Sequence, residues 1–511
     1  MAQSKYNKHM GTDQTIISFL NENAKSEHIS FHMPGHKSRR DLFVQSGYSD
    51  LLYDVIKYDI TEIPGADALY DPRSTLRAVM NNYAELYDVL HTELLVNGSS
   101  AGIMAAILSS VPIGGKLILG RNSHHAAYSA LRLGGINPVY IQPETEPRYK
   151  LSAEISPYAL EDACKANPDA SAVLITSPNY CGMLSDISLL ADVAHDYGMM
   201  LIVDQAHGAH LKFFDYDARA ARDSGSYVPH ISHAAETLGA DIVINSTHKT
   251  LLSFTGSAIL NICGDSVDIS AVRETLRMLQ TTSPSYILMA SLDINEKIMR
   301  KHGKKIISSW KSDLDYFYKQ AHKIRGLTLV EGGGERGTGG GDEECFPLYR
   351  YREGPDVTKI NISMAEFGLS GDQLERELRY KGIVPEMVHG EYLLLMTGAG
   401  NKRSDYDALL KALSDIASNY GVSGREDIRP RSLEAPVPET GDVPTQAELV
   451  PLYESDGRVL YDPIITYPPG TPVVCPGEIM SLEVISYIQG LLADGDRISG
   501  VDEEGRIKVG I

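Results

Sequence analysis

Between residues 93 and 262 short apolar runs alternate with helical stretches, and this alternation restricts the fold more than any other feature of the chain. Glu93 to Val96, Lys116 to Leu119, Val139 to Ile141, Ala172 to Thr176, Met200 to Val203 and Asp241 to Ile244 have the length and apolar content of buried strands. Between them lie the Ala-rich segment Ala101 to Ser110, a helix running through Leu133, and helical candidates at Ser156 to Ala166 and Leu189 to Tyr197. Strands alternating with helices build a mostly parallel sheet covered on both faces, an α/β fold. Ligands of such folds bind beyond the carboxyl ends of the strands. Chemistry is therefore to be sought there.

One strand end carries Ser246-Thr-His-Lys249, followed by a second apolar run. A lysine between apolar segments is costly unless its charge is paired or its pKa falls, and a desolvated lysine can be a nucleophile toward carbonyl compounds. A lysine snorkelling to solvent fits that stretch equally well. A second end carries Asp204-Gln-Ala-His207-Gly-Ala-His210. Asp204 there suits either a helix cap or the partner of a protonated ring nitrogen. His207 and His210 also have an i,i+3 spacing open to a metal, but no comparable second ligand cluster accompanies them. A third end, Asn97-Gly-Ser-Ser100, enters the Ala-rich helix and offers hydroxyls, backbone N–H groups and a helix dipole to a phosphate; it is also ordinary helix-start chemistry. His124 follows a fourth strand, where it can lie flat over an aromatic ring or serve the structure alone.

The flanking regions are less regular. Phe31-His-Met-Pro-Gly-His-Lys37 is a Pro-Gly turn, Asp59 to Ser74 is loop-like, and Thr75 to Leu90 has helical spacing. Val272 to about Arg325 reads as one helical stretch. Glu331 to Gly341 is Gly-rich but lacks the Lys-Ser/Thr of a phosphate loop, so a flexible loop is expected. Lys359 to Met364, Gln373 to Tyr380 and Tyr392 to Met396 suggest a smaller α+β unit, Arg425 to Gln446 a Pro-rich linker, and Ile479 to Leu492 a helix.

A formal net charge of −20 argues against nucleic acid or an anionic membrane as the main partner. No run is long enough to span a bilayer, and Ile16 to Leu20 is too short for a signal peptide core. Five scattered cysteines without a Cys-x-x-Cys pair point to reduced thiols, so a cytoplasmic protein without a bound metal is expected.

Taken together, Phe31 to Lys37, Asn97 to Ser100, Arg121-Asn-Ser-His124, Asp204 to His210, Ser246 to Lys249, Thr281-Thr-Ser-Pro-Ser-Tyr286, Tyr467-Pro-Pro-Gly470 and Pro476-Gly-Glu478 resemble the Orn/Lys/Arg decarboxylase family. The similarity spans nearly the whole chain and is closest to the short, biosynthetic-type members. It implies the aspartate-aminotransferase-like architecture of fold-type-I pyridoxal 5′-phosphate enzymes. The expected parts are an N-terminal segment (1–60), a cofactor-binding large domain (61–300), a small α+β domain (301–424), a linker (425–447) and a C-terminal domain (448–511). Residue by residue, the resemblance implies that Lys249 binds the cofactor covalently and Asp204 pairs with its ring nitrogen. Ala206 would pack under the ring and His124 stack above it. Ser99, Ser100, Ala101, Ser246 and His248 would hold the phosphate side, with His207 a further cofactor contact. Glu386 is the candidate for the distal cationic group of the substrate. Gln205 departs from the glutamate usual in short members, and the insert at 332–341 is also unusual.

The activity so implied is α-decarboxylation of a basic L-amino acid, with arginine favoured over lysine or ornithine. The products would be CO2 and agmatine, cadaverine or putrescine, in polyamine metabolism. A homodimer or dimer-based oligomer is implied, with Thr281 to Tyr286 approaching the neighbour's phosphate. Transamination, retro-aldol cleavage or a catalytically silent homologue are the alternatives.

Overall fold

The computed structural model describes residues 23–25, 28–64, 66–146, 148–214, 233–331, 355–421, 436, 438–467, 471–493 and 497–511. After a short strand β1 (Ile29–Phe31) and helix α1 (Thr75–Tyr87), the chain builds a seven-stranded sheet. Its strands are β2 (His91–Leu95), β3 (Lys116–Gly120), β4 (Asn137–Ile141), β5 (Ala172–Thr176), β6 (Met200–Asp204), β7 (Ile242–Asn245) and β8 (Ala258–Ile262). They lie in the order β2-β8-β7-β6-β5-β3-β4, and only β8 runs against its neighbours. The expected mostly parallel sheet is therefore present. The helices between the strands are α2 (Gly98–Ser110), α3 (His125–Gly134), α4 (Pro157–Ala166) and α5 (Ile187–Asp196), with the single turn α6 (Thr247–Thr250) after β7.

Side chains that alternate along a strand face opposite sides of the sheet. Leu117, Leu119, Ile202, Ile242 and Ile244 accordingly join one apolar cluster with Ile103, Ile107 and Leu131 of α2 and α3. Ile118, Val203 and Val243 join another with Leu160, Leu190 and Ala194 of α4 and α5. Burial on both faces is why these strands are unbroken apolar runs.

Several boundaries differ from the sequence reading. The helical stretch from Val272 is two helices, α7 (Ile269–Leu279) and the 36-residue α8 (Tyr286–Ala321). Pro284 cannot extend a helix ending before it, and Ser285 caps the next by accepting from the Leu288 N–H at 3.4 Å. The Ala-rich helix starts at Gly98 rather than Ala101, so Ser99 and Ser100 belong to its first turn. Gly98 makes this turn possible with φ of +74°, a conformation natural to glycine. The expected boundary at residue 300 falls inside α8, whose length packs in the same apolar cluster as α1 and the small unit.

That small unit pairs β9 (Thr328–Leu329), β10 (Lys359–Ser363), β12 (Met387–His389) and β13 (Tyr392–Met396) in an antiparallel sheet backed by α9 (Gly371–Tyr380) and α10 (Arg403–Tyr420). Strand β11 (Ile383–Pro385) pairs instead with β1, which draws the N-terminal segment over the large sheet's carboxyl edge. The C-terminal unit has its own core, including Leu460, Ile464, Val474, Ile488 and Ile507. It comprises β14 (Ala447–Pro451), β15 (Ile464–Tyr467), β16 (Thr471–Val474), α11 (Leu482–Ala493), β17 (Arg497–Ser499) and β18 (Arg506–Gly510). The Gly-rich 332–341 segment, most of the linker and Pro468 to Gly470 lie outside the described residues. Among the described residues no helix is long and apolar enough to cross a membrane.

Candidate active site

Strands β2, β3, β6 and β7 end on the same side of the sheet, and each delivers one of the groups singled out from the sequence. After β7, Ser246 to Thr250 form a single turn whose carbonyls are tied from two directions. The Gly35 N–H donates to His248 O at 2.8 Å, and the Ala399 N–H donates to Thr250 O at 2.9 Å. Gly35 is packed so closely that a Cβ there would lie 2.5 Å from Leu251 O. The Pro-Gly turn of residues 31–37 is thus more than a surface turn: it braces the lysine-bearing segment.

Lys249 Nζ lies 3.0 Å from His207 Nε2, which joins the ends of β6 and β7. Burial lowers the Lys249 pKa to about 8, helped by the charge of Lys359; Asp204 and Glu386 oppose the shift. Asp204 is buried, and desolvation raises its pKa while Lys249 and the Ala206 N–H, which donates to Oδ1 at 3.1 Å, pull it back. Burial pushes His207 well below the ordinary histidine range, and Lys249, Lys359 and the neighbouring imidazoles add to the effect. Its ring packs on Tyr180, with centroids 4.6 Å apart.

His124 is the N-cap of α3, and its side chain accepts from the Ala126 N–H at 3.3 Å through Nδ1. An accepting Nδ1 puts the ring hydrogen on Nε2. Burial first, then His125 and Lys249, lower its pKa to about 3, so the ring is neutral at any ordinary pH. His248, pulled to about 4 mainly by burial, packs its Nδ1 against Ser257 O at 2.9 Å and Ser246 Oγ at 3.1 Å. Ser99 and Ala101 are buried in the first turn of α2. First-turn amides have no intrahelical acceptor and suit an anion.

Glu386 approaches from the small unit. Its Oε1 accepts from the Tyr180 hydroxyl at 2.8 Å and its Oε2 from the Met33 N–H at 2.9 Å. His207 and His210 diverge: His210 turns to Asp356, 3.2 Å away, and to Trp310, while His207 faces Lys249. The two histidines of that spacing therefore do not converge on one point. Gln205 also turns away from the site, donating to Glu236 at 2.9 Å and Asn245 at 3.0 Å.

Several contributors are not among the residues singled out from the sequence. Gln280, between α7 and α8, accepts from the Val96 and Asn97 N–H groups at 2.8 and 3.2 Å and so braces the entry to α2. Lys359 opens β10 fully buried and donates to His207 O at 3.1 Å, with Asp356 at 3.6 Å. Tyr180 is the third. Only Lys359, a lysine heading an apolar strand, has a pattern that could have marked it.

The donor set fits pyridoxal phosphate. A lysine of lowered pKa, a buried carboxylate, a neutral imidazole and a hydroxyl-lined helix start share one mouth, and the buried Nδ1 of His207 and Oγ1 of Thr176 have no hydrogen-bond partner among the described residues. One consequence is measurable without cofactor. Lys249 is half-buried as a residue, so a small neutral acylating reagent should reach its desolvated amine and label it with a half-maximal rate near pH 8 in the cofactor-free protein. Peptide mapping across pH 6 to about 11 checks this, since an unperturbed lysine titrates near ~10.4.

The profile of the Orn/Lys/Arg decarboxylase major domain matches residues 15–327, and that of the family's C-terminal domain matches residues 440–505. The arginine decarboxylase of Halalkalibacterium halodurans (strain C-125) is 31% identical over 499 residues, covering 96% of this chain and 95% of its own. That of Bacillus subtilis (strain 168) is 29% identical over 498 residues, with the same coverage of 96% and 95%. Among solved structures, the lysine decarboxylase LdcF of Francisella novicida superposes with a TM-score of 0.71 at 19% identity, over 96% of this chain and 80% of that one.

Proposed function

The chain belongs to the Orn/Lys/Arg decarboxylase family, and we propose that it holds pyridoxal 5′-phosphate on Lys249 and decarboxylates arginine to agmatine. Its fold is that of the fold-type-I enzymes, and it is a decarboxylase of a basic amino acid. The observation that carries the assignment of residues is the meeting of Lys249, His207 and Asp204 at one sheet edge, with Lys249 Nζ 3.0 Å from His207 Nε2. Arginine is favoured because the two relatives described above, each aligned over 96% of this chain, are arginine decarboxylases.

Bound pyridoxal phosphate supplies the electron sink for the pair left when CO2 departs. Ser99, Ser100 and Ala101 would hold its phosphate at the start of α2, together with Ser246 and His248. Asp204 would keep the ring nitrogen protonated, while Ala206 and His124 would bound the ring. His124 is well suited to this because it stays neutral and adds no competing charge. His207 Nε2, a neutral imidazole 3.0 Å from Lys249 Nζ, would orient the amine, and the burial that lowers the Lys249 pKa to about 8 lets the amine be presented neutral near that pH. Both oxygens of Glu386 accept one hydrogen bond each, which leaves lone pairs for a guanidinium.

The reading includes a second copy of this chain. Thr281 to Ser283 are exposed immediately after Gln280, and Gln280 touches the Val96–Asn97 entry to the phosphate-binding turn. A neighbouring subunit would meet the cofactor phosphate here. The deciding experiment is product analysis with arginine, lysine and ornithine. CO2 with agmatine is expected, whereas a stoichiometric keto acid without CO2 would overturn decarboxylation. Glu386→Gln should raise KM for arginine about tenfold and change kcat less than about threefold, as removal of uniform binding does. A fall in kcat with unchanged KM would take Glu386 out of the substrate pocket.

A further inference from the structure

The turn that carries His124 is held from outside its own domain. Arg121, the first residue after β3, sends Nε to Glu478 Oε1 at 2.5 Å and a terminal nitrogen to Glu478 Oε2 at 2.7 Å. The same terminal nitrogen donates to Val473 O at 2.6 Å. Glu478 and Val473 belong to the C-terminal unit, which has a separate core. The pair is sealed from solvent: the two side chains are 8% and 1% exposed. Glu478 Oε2 also accepts from the Cys475 N–H at 2.7 Å, so its carboxylate is fixed from its own side. Cys475 in turn packs in the apolar cluster of α2 and α3, 3.4 Å from the Tyr128 hydroxyl, and that hydroxyl donates to Arg121 O at 2.6 Å.

A bidentate carboxylate–guanidinium pair fixes direction as well as distance, and in a dry interior neither partner can swing to water. Arg121 is three residues from His124. Within those three residues the Arg121 N–H donates to Ile141 O at 2.8 Å, and the Ser123 N–H returns to Gly120 O at 3.0 Å. The imidazole of His124 is itself pinned to the backbone by the Ala126 N–H, so the ring goes wherever this turn goes. A contact between the same two units, Arg132 with Asp462, which also pairs with Lys508 of its own unit, lies toward the far end of α3 and touches none of these groups.

We propose that Glu478, through Arg121, is a positioning residue for His124, so that the C-terminal unit completes the cofactor site without touching it. The inference rests on the assignment of His124 to the cofactor ring. Its test is a double-mutant cycle on the full-length protein, read as the dissociation constant for pyridoxal phosphate and the visible circular dichroism of the bound cofactor. Glu478→Gln keeps the shape and removes the charge. It should raise that constant about tenfold in the wild-type background and less than about twofold in His124→Ala, because its effect runs through the ring. Asp462→Asn, which breaks that other contact, should leave both readouts unchanged. The inference is overturned if Glu478→Gln binds like wild type, if Asp462→Asn weakens binding as much, or if the loss is equally large without His124. Should Glu478→Gln fail to fold, Arg121→Lys replaces it: lysine keeps the charge but not the bidentate grip, and wild-type binding by it would equally overturn the proposal. A wild-type protein that takes up no pyridoxal phosphate would instead overturn the cofactor assignment and this inference with it.

Discussion

Lys249→Ala is expected to lower kcat/KM for the basic amino acid at least about 10⁴-fold, roughly 5 kcal/mol of transition-state stabilisation, while the protein still folds. Three lysines, Lys37, Lys249 and Lys359, have their pKa values lowered by burial near this mouth, so the choice among them must be argued. Lys359 is committed to structure by Asp356 and the His207 carbonyl. Lys37 is committed to the carbonyls of His32 and Met396. Lys249 alone of the three faces a neutral imidazole rather than a backbone carbonyl or a carboxylate, and its turn is braced by backbone bonds rather than by its own side chain. Borohydride treatment of the loaded wild-type protein should therefore fix a pyridoxyl label on the Lys249 peptide. A label on Lys37 or Lys359, or one that survives in Lys249→Ala, would remove Lys249 from the centre of the site.

The fold was legible where one physical rule dominated. Strands β3, β5, β6 and β7 are short apolar runs because both faces of the sheet are covered, and their ends carried the polar residues that matter. Asp204 and Lys249 were visible for that reason: a charge directly beyond a buried strand is conspicuous. Gln280 and the pairing of Arg121 with Glu478 were not, because each acts on a partner far along the chain; Lys359 has the pattern of a lysine heading an apolar strand, but its contact with the His207 carbonyl is equally remote. Arg121 and Glu478 are separated by 357 positions, and no local spacing announces such a contact. The break at Gln280 to Ser285 was missed for a different reason. Helical periodicity continues on both sides of it, and only Pro284 marks the interruption. Gln205, which departs from the glutamate usual in short members, turns into a buried network with Glu236, Asn245 and Asn261 that ties β6, β7 and β8 together behind the site.

Asp204→Asn should cost about 10³-fold in kcat, roughly 4 kcal/mol, with a much smaller change in cofactor content. The asparagine keeps the shape and can still accept from the Ala206 N–H, as the Asp204 carboxylate does at 3.1 Å, so the turn at the end of β6 should survive. What disappears is a negative charge in a place where burial makes charge consequential. In the cofactor-free protein desolvation raises the Asp204 pKa and lowers that of Lys249, so each charge leans on the other. A protonated pyridine nitrogen beside Asp204 would add a second positive partner and favour the ionised carboxylate. The neutral amide offers no such stabilisation, the ring nitrogen would lose its proton, and its capacity to accept the electron pair left on Cα when CO2 departs would fall. Removing Asp204 also removes a charge that holds the Lys249 pKa up, so in the variant the amine should titrate below about 8 in cofactor-free protein. The two readouts separate the roles. A downward shift of Lys249 labelling with near-normal turnover would make Asp204 an electrostatic neighbour only, and an unchanged labelling profile with unchanged turnover would reduce it to a helix-cap-like residue at a strand end.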